Sequence, residues 1–176
     1  MPEPISIIIV EDDEAVREGL RLLINGSEGY HCHAACPSAE EALKVFPDFM
    51  PDVVLMDINL PGMNGIECVI CIKNAWPSIQ VMMLTVFDNT DEIFKSLTAG
   101  ATGYMLKKTP PAKLLEAIAE LVNGGSPMSG EIARKVVQTF ARPAIHPLPE
   151  SNLTAREEEI LRSEERRVGK ECRSRW

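Results

Sequence analysis

Val53-Val54-Leu55-Met56-Asp57-Ile58-Asn59-Leu60-Pro61-Gly62-Met63-Asn64-Gly65 is the stretch that decides how this chain folds. An apolar run meets an acid, the acid leads into a Pro-Gly turn, and the turn opens the helical pattern Asn64–Trp76. A continuous apolar run of this kind suits a strand buried on both faces, which requires helices above and below a parallel sheet. The same unit recurs on either side. Ile5–Val10 ends in Glu11-Asp12 and precedes the helical pattern Glu14–Asn25, with Gly26 as its stop. Gln80–Thr85 precedes Thr90–Ala99. Gly103–Leu106 precedes Pro111–Val122, which has proline in its first turn and Gly124-Gly125 behind it. Tyr30–Ala35 is a less regular strand pattern, followed by Ser38–Phe46, where Ser38 and Glu41 have capping-box spacing. Strand and helix therefore alternate five times. That order predicts an α/β fold with a doubly wound, five-stranded parallel sheet and right-handed crossovers. Sites in such sheets lie beyond the carboxyl ends of the strands, beside the topological switch point.

Composition narrows the function classes. The 176 residues are 45% hydrophobic and 25% charged, close to the globular average, which excludes a fibrous or disordered chain. No apolar run approaches the ~18 residues of a membrane span. Met1–Pro4 leads straight into the first strand without a basic leader or cleavage signal, and five cysteines suit reduced thiols better than a disulfide scaffold. A cytoplasmic protein with no membrane partner is expected. Net charge is −8, from 18 basic and 26 acidic residues. Residues 162–176 hold six basic and three acidic residues, so 1–161 carry 12 and 23, a balance of −11. An acidic bulk is not an electrostatic nucleic-acid surface.

Three carboxylates fall at strand ends: Glu11 and Asp12 after the first strand, Asp57 after the third. Like charges converging on one pocket repel, and a hard divalent cation is the natural resolution. Mg²⁺ takes oxygen ligands and keeps several waters, so two or three carboxylates suffice. Thr85 closes the fourth strand with a hydroxyl and Lys107 the fifth with an ammonium. Acids, hydroxyl and ammonium around one point suit a phosphoryl group in transfer to a carboxylate nucleophile. Each residue alone has a plainer role: Asp57 as a loop cap, Thr85 as a strand residue, Lys107 as a solvated cation with Lys108 beside it. Their joint placement at four of five strand ends argues for a shared site. Cys32, Cys36, Cys68 and Cys71, with His31 and His33, offer zinc-like spacings, but their strand and helix positions favour buried structural thiols.

Ile7–Asp13, Val53–Gly65, Met83-Leu84-Thr85 and Gly103–Lys108 together resemble the receiver domain of two-component response regulators, over about residues 5–123. The resemblance implies that Asp57 accepts a phosphoryl group from a cognate histidine kinase. It implies that Glu11, Asp12, Asp57 and the backbone carbonyl of Asn59 hold Mg²⁺, that Thr85 and Tyr104 form a switch pair, and that Lys107 is the ion-pairing lysine. The acidic run Glu11-Asp12-Asp13-Glu14 allows two readings; Arg17, five positions after Asp12, selects Glu11 and Asp12. Lys107 rather than Lys108 follows Tyr104 by the required three. Val86, where the family often has a small residue, is a departure expected to slow access of water to the phosphoryl group. The implied switch reshapes the face formed by Thr90–Gly100, Gly103–Leu106 and Pro111–Val122 into a homodimer surface, with Tyr104 rotating inward.

The domain reading is a receiver over 1–125, then a helix Gly130–Ala141 and a proline-rich linker over 126–150. Leu153–Arg162 resembles the opening of a LuxR/FixJ (NarL) type helix-turn-helix, so 151–162 reads as the start of a truncated DNA-binding domain. With no recognition helix, no complete DNA-binding site is expected in this chain, and DNA is a partner of the full-length protein only. Residues 163–176 lose all amphipathic periodicity and read as a non-native tail. Back-translated from Arg162, they resemble a short-read sequencing adapter read in frame. Arg162 fits both the family motif and the tail, and a basic nucleic-acid tail is the alternative. The function expected is therefore a phosphorylation-controlled transcription regulator that is not a dedicated enzyme. Two rivals are a stand-alone receiver acting by protein contact and an Asp-nucleophile phosphohydrolase. The second usually has another Asp two residues after the first, where this chain has Asn59.

Overall fold

The computed structural model describes residues 3–86 and 89–141. It is a three-layer α/β unit of β1 (Ile5–Val10), α1 (Glu14–Asn25), β2 (Tyr30–Cys36), α2 (Ala39–Val45), β3 (Val53–Met56), α3 (Gly65–Ala75), β4 (Gln80–Thr85), α4 (Thr90–Thr98), β5 (Gly103–Leu106), α5 (Pro111–Val122) and α6 (Gly130–Ala141). The strands form one parallel sheet in the order β2-β1-β3-β4-β5. The order reverses direction between β1 and β3, which makes the ends of those two strands the switch point.

Alternating side chains feed two cores, as strand geometry requires. Ile7, Ile9, Val53, Leu55, Met82, Leu84 and Met105 meet Ile24 of α1 and Leu114, Ile118 and Leu121 of α5. Ile8, Val10, Val54, Met56, Val81, Met83, Tyr104 and Leu106 meet Ala39 and Ala42 of α2, Cys68, Val69 and Ile72 of α3, and Ile93 of α4. Burial on both sides explains the unbroken apolar runs of β3 and β5, whose residues are all buried. At the edge, β2 runs one residue further than expected, and its register against β1 shifts between Ile7 and Ile8.

Several helix ends differ from the sequence reading by one residue, for a capping reason. Ser38 and Asn64 are N-caps with extended backbone rather than helical residues, and Trp76 is a C-cap. Ser38 Oγ accepts the Glu41 N–H at 3.3 Å. The reciprocal capping box forms at Asn64 and Glu67, with bonds of 2.9 and 3.2 Å. Chain compactness also extends past residue 125. The compact unit runs Met1–Ala141, and α6 buries Ile132 completely in the core that contains Ile93 and Tyr104. The expected linker, helix-turn-helix fragment and tail lie outside the described residues. Among the described residues, no helix is long and apolar enough to cross a membrane.

Gly65, at the first position of α3, lets the helix pass against β3. A Cβ there would sit 1.9 Å from the carbonyl oxygen of Asp57. Gly19 in α1 has nothing within 4 Å of such a Cβ. Opposite outcomes follow in urea denaturation. Gly65→Ala is expected to lose about 1–3 kcal/mol or more by overpacking, and Gly19→Ala to gain about 0.5–1 kcal/mol from helix propensity. Similar midpoints for the two variants would contradict the close approach.

Candidate functional site

The last rungs of the sheet hold the site. Beyond the strand ends, Glu11 N–H donates to Cys36 O at 3.0 Å, Asp57 N–H to Val10 O at 2.9 Å, and Lys107 N–H to Thr85 O at 2.8 Å. The backbones of Glu11, Asp57 and Lys107 are thus fixed by continuation of the ladder. Neighbouring strands are spaced by about 4.8 Å, so β5 lies three spacings from β1. The four-carbon stem of Lys107 bridges back toward them. Its Nζ lies 2.9 Å from Asp57 Oδ2 and 2.7 and 2.6 Å from the two Glu11 oxygens.

Glu11 is 1% exposed and Asp57 6% exposed, whereas Asp12 is solvent-facing. One carboxylate oxygen from each of Glu11, Asp12 and Asp57 lies within 4.8 Å of the others. Three carboxylates against one ammonium leave two negative charges at a largely buried point. Oxygen donors with that residual charge fit a hard divalent cation. Burial pushes the Glu11 carboxyl above its usual range, with the nearby Asp57 charge adding to the rise and the bonds from Lys107 opposing it. Burial also works against the charge on Lys107, but its bonds to Glu11 and Asp57 hold its pKa above the ordinary value.

Backbone and remote groups complete the pocket. Ile58 N–H donates to Asp57 Oδ1 at 2.7 Å, so both oxygens of Asp57 have donors. Arg17 reaches back from α1 and donates to the carbonyls of Glu11 and Asp12 at 2.8 and 3.0 Å, which pins the turn that presents both acids. Asp13 caps α1 through Val16 N–H at 3.0 Å. From α2, Glu40 accepts Met63 N–H at 2.8 Å and tethers the loop that follows Asp57, beside Gly62 with φ +77°. The contact holds the Glu40 carboxyl below its usual range. Nothing in the spacing of Glu40 and Met63 signals this tether, nor the donor at Ile58.

The remaining expected residues are placed as follows. Asn59 is exposed on the loop beyond Asp57. Thr85 is fully buried at the end of β4. Tyr104, also fully buried, pairs with Met83 across β4 and β5. Period-2 alternation puts Thr85 on the same sheet face as Met83 and Tyr104. Val86 stands 67% exposed beside Thr85. Cys32, Cys36 and Cys68 are buried, and burial pushes the Cys32 thiol up to about 11 and the Cys68 thiol up to about 12. Such thiols are inert. Among the described residues, Glu11, Asp12 and Asp57 form the sole cluster of three or more metal-ligating side chains.

The response regulator receiver domain family matches residues 7–119. The chain belongs to that family. The chain is similar to the transcriptional regulatory protein LnrK of Bacillus subtilis, 33% identical over 165 residues that cover 89% of this chain and 75% of LnrK. It is also similar to the response regulator GacA of Pseudomonas aeruginosa, 30% identical and covering 89% and 73%. DegU of Brevibacillus brevis is 28% identical, and the matched part is 58% of its length. Among solved structures, a LuxR-family two-component response regulator from Aurantimonas sp. SI85-9A1 aligns with TM-score 0.74 and 33% identity. That alignment covers 79% of this chain and 99% of that one. The receiver is therefore part of a two-component response regulator, and its relatives LnrK and DegU are named as transcriptional regulatory proteins.

Two titrations mark the pocket of this receiver. Glu11 has a raised folded-state pKa, so its contribution to stability is present below about pH 4.5 and is lost as pH rises through that raised value. In metal-free protein at pH 7, Glu11→Gln is therefore expected to be neutral or stabilising, on the order of 1 kcal/mol. Lys107 also has a raised pKa, so its contribution is present below 10.5 and lost as pH rises through the higher folded value. Urea denaturation across pH checks both. A Glu11→Gln loss well beyond 1 kcal/mol, or an alkaline fall in stability unchanged in Lys107→Met, would contradict this charge balance.

Proposed function

We propose that Asp57 is the phosphoacceptor of this receiver and that a histidine kinase is the donor. The observation that carries the reading is the convergence of Lys107 Nζ on Asp57 and Glu11, at 2.9 and 2.6 Å, beside the exposed Asp12. An Asp57 carboxylate oxygen attacks phosphorus, an acyl phosphate forms, and the P–N bond to the kinase histidine breaks with its electron pair returning to the imidazole. Lys107 carries the positive charge that a phosphoryl oxygen needs, already held beside Asp57. The Thr85 hydroxyl supplies a donor at the end of the neighbouring strand. Glu11, Asp12, Asp57 and the Asn59 carbonyl would hold Mg²⁺, which when bound neutralises phosphoryl oxygens that would otherwise face three carboxylates.

In the full-length regulator, which we read as cytoplasmic, phosphorylation would be passed through Thr85 and Tyr104 to dimerisation and to a LuxR-type DNA-binding domain. The similarity to LnrK and DegU, named as transcriptional regulatory proteins, supports that reading. A test uses a small-molecule phosphodonor such as acetyl phosphate. Asp57→Asn is expected to reduce incorporation to background, and excess chelator to do the same for the parent. Label retained by Asp57→Asn would overturn the acceptor assignment, and undiminished label in chelator would overturn the metal requirement.

A further inference from the structure

The loop that carries Asn59 closes on one carbonyl. Leu60 N–H donates to Ile58 O at 3.1 Å, and Gly65 N–H to the same oxygen at 2.8 Å. Leu60 anchors the loop in the core that holds Ala39 and Ala42 of α2 and Cys68 of α3. Past that anchor, Pro61 and Gly62 stand out in solvent. Pro61-Gly62 has the residue order of a type II turn, and Gly62 takes the positive φ of its second corner, +77°. At that corner the loop meets α2. Glu40 Oε1 accepts Met63 N–H at 2.8 Å, and a Cβ on Gly62 would lie 2.5 Å from the same oxygen. A carboxylate oxygen thus fills the place of a side chain. Its helix is firmly seated: Ser38 caps it, and Ala39 and Ala42 are fully buried. Glu40 itself is exposed, so losing the contact leaves no buried group unpaired.

We propose that Glu40 is a positioning residue for the divalent cation: by gripping Met63 N–H and the bare face of Gly62, it sets where the Asn59 carbonyl stands beside Asp57. The proposal rests on the reading of Glu11, Asp12, Asp57 and Asn59 as the Mg²⁺ site. Three of those ligands are held without the loop. The sheet ladder fixes the backbones of Glu11 and Asp57, and Arg17 pins the carbonyl of Asp12. The Asn59 carbonyl is backbone of the loop and moves with it. Mg²⁺ demands near-ideal octahedral geometry, so a small displacement of that carbonyl makes it a poorer ligand. Groups that orient a ligand without touching the metal therefore govern affinity. The tether uses a lone pair on Oε1. The side-chain oxygen of Gln offers the same acceptor, and Ala offers none.

Titration of the unphosphorylated full chain with Mg²⁺ alone, followed by amide chemical shifts, tests it. Glu40→Ala is expected to raise the Mg²⁺ Kd about ten-fold, the low end of what losing an outer partner costs a metal site. Its urea midpoint is expected to stay parental, and at saturating Mg²⁺ its labelling by acetyl phosphate to reach the parental level. Glu40→Gln is expected to bind Mg²⁺ as the parent does. So is Glu41→Ala, which removes a neighbouring exposed acid without touching the loop. Gly62→Ala, which drives the carboxylate away from the other side, is expected to weaken Mg²⁺ as well, with little further loss when combined with Glu40→Ala. Parental affinity in Glu40→Ala, with or without a lowered urea midpoint, would overturn the tether alone. So would a Glu40→Gln or Glu41→Ala variant as weak as Glu40→Ala, since charge and not the bond would then be at work. No Mg²⁺-dependent shift in the parent would overturn the metal reading and the tether with it.

Discussion

A single ammonium, that of Lys107, faces the carboxylates of Glu11 and Asp57 at 2.6–2.9 Å, and the rest of the structure is arranged around holding that triad where water cannot freely reach it. Two nearly buried carboxylates would repel, and removing them from water is costly without a counter-charge. The sheet resolves the geometry by continuing its hydrogen-bond ladder one residue past each strand end, so that acid and lysine backbones are fixed relative to one another. Arg17 and the Asp13 cap set the turn on the β1 side, and Gly65 lets α3 approach the Asp57 carbonyl on the β3 side. The triad leaves the site two charges short of neutrality once Asp12 is counted. That imbalance is what makes the pocket receptive to a divalent cation and a phosphoryl group.

The sheet was legible because strands buried on both faces must be apolar throughout, and β1, β3, β4 and β5 have the bounds their apolar runs predict. Helix positions were legible from the 3.6 period, to the residue for α1, α5 and α6 but not for α2, α3 and α4. Ser38 and Asn64 belong to the helical pattern by sequence and to the caps by backbone, since their extended φ and ψ are set by the side-chain bond each makes. The irregular register of β2 depends on what β1 presents, which no local pattern encodes.

In the site, chemistry carried by side chains at strand ends could be read: Glu11, Asp12, Asp57 and Lys107 come together within bonding or near-bonding distance. Chemistry carried by backbone could not. The Ile58 N–H on Asp57, the carbonyls gripped by Arg17 and the space required at Gly65 follow from tertiary placement. The Glu40 tether joins α2 to the loop between β3 and α3, residues 23 apart in sequence. The helix α6 was legible in sequence, but its seat on α4 and beside Tyr104 was not.

The most direct measurement is chemical mapping of the acyl phosphate. The chain is phosphorylated from acetyl phosphate with Mg²⁺, reduced with borohydride to convert any phospho-aspartate to homoserine, and digested for peptide mass analysis. Conversion at Asp57 alone is the expected result. Conversion at Asp12 or Asp13, or no conversion at Asp57 in a chain that carries phosphate elsewhere, would contradict a site built around Lys107, Glu11 and Asp57.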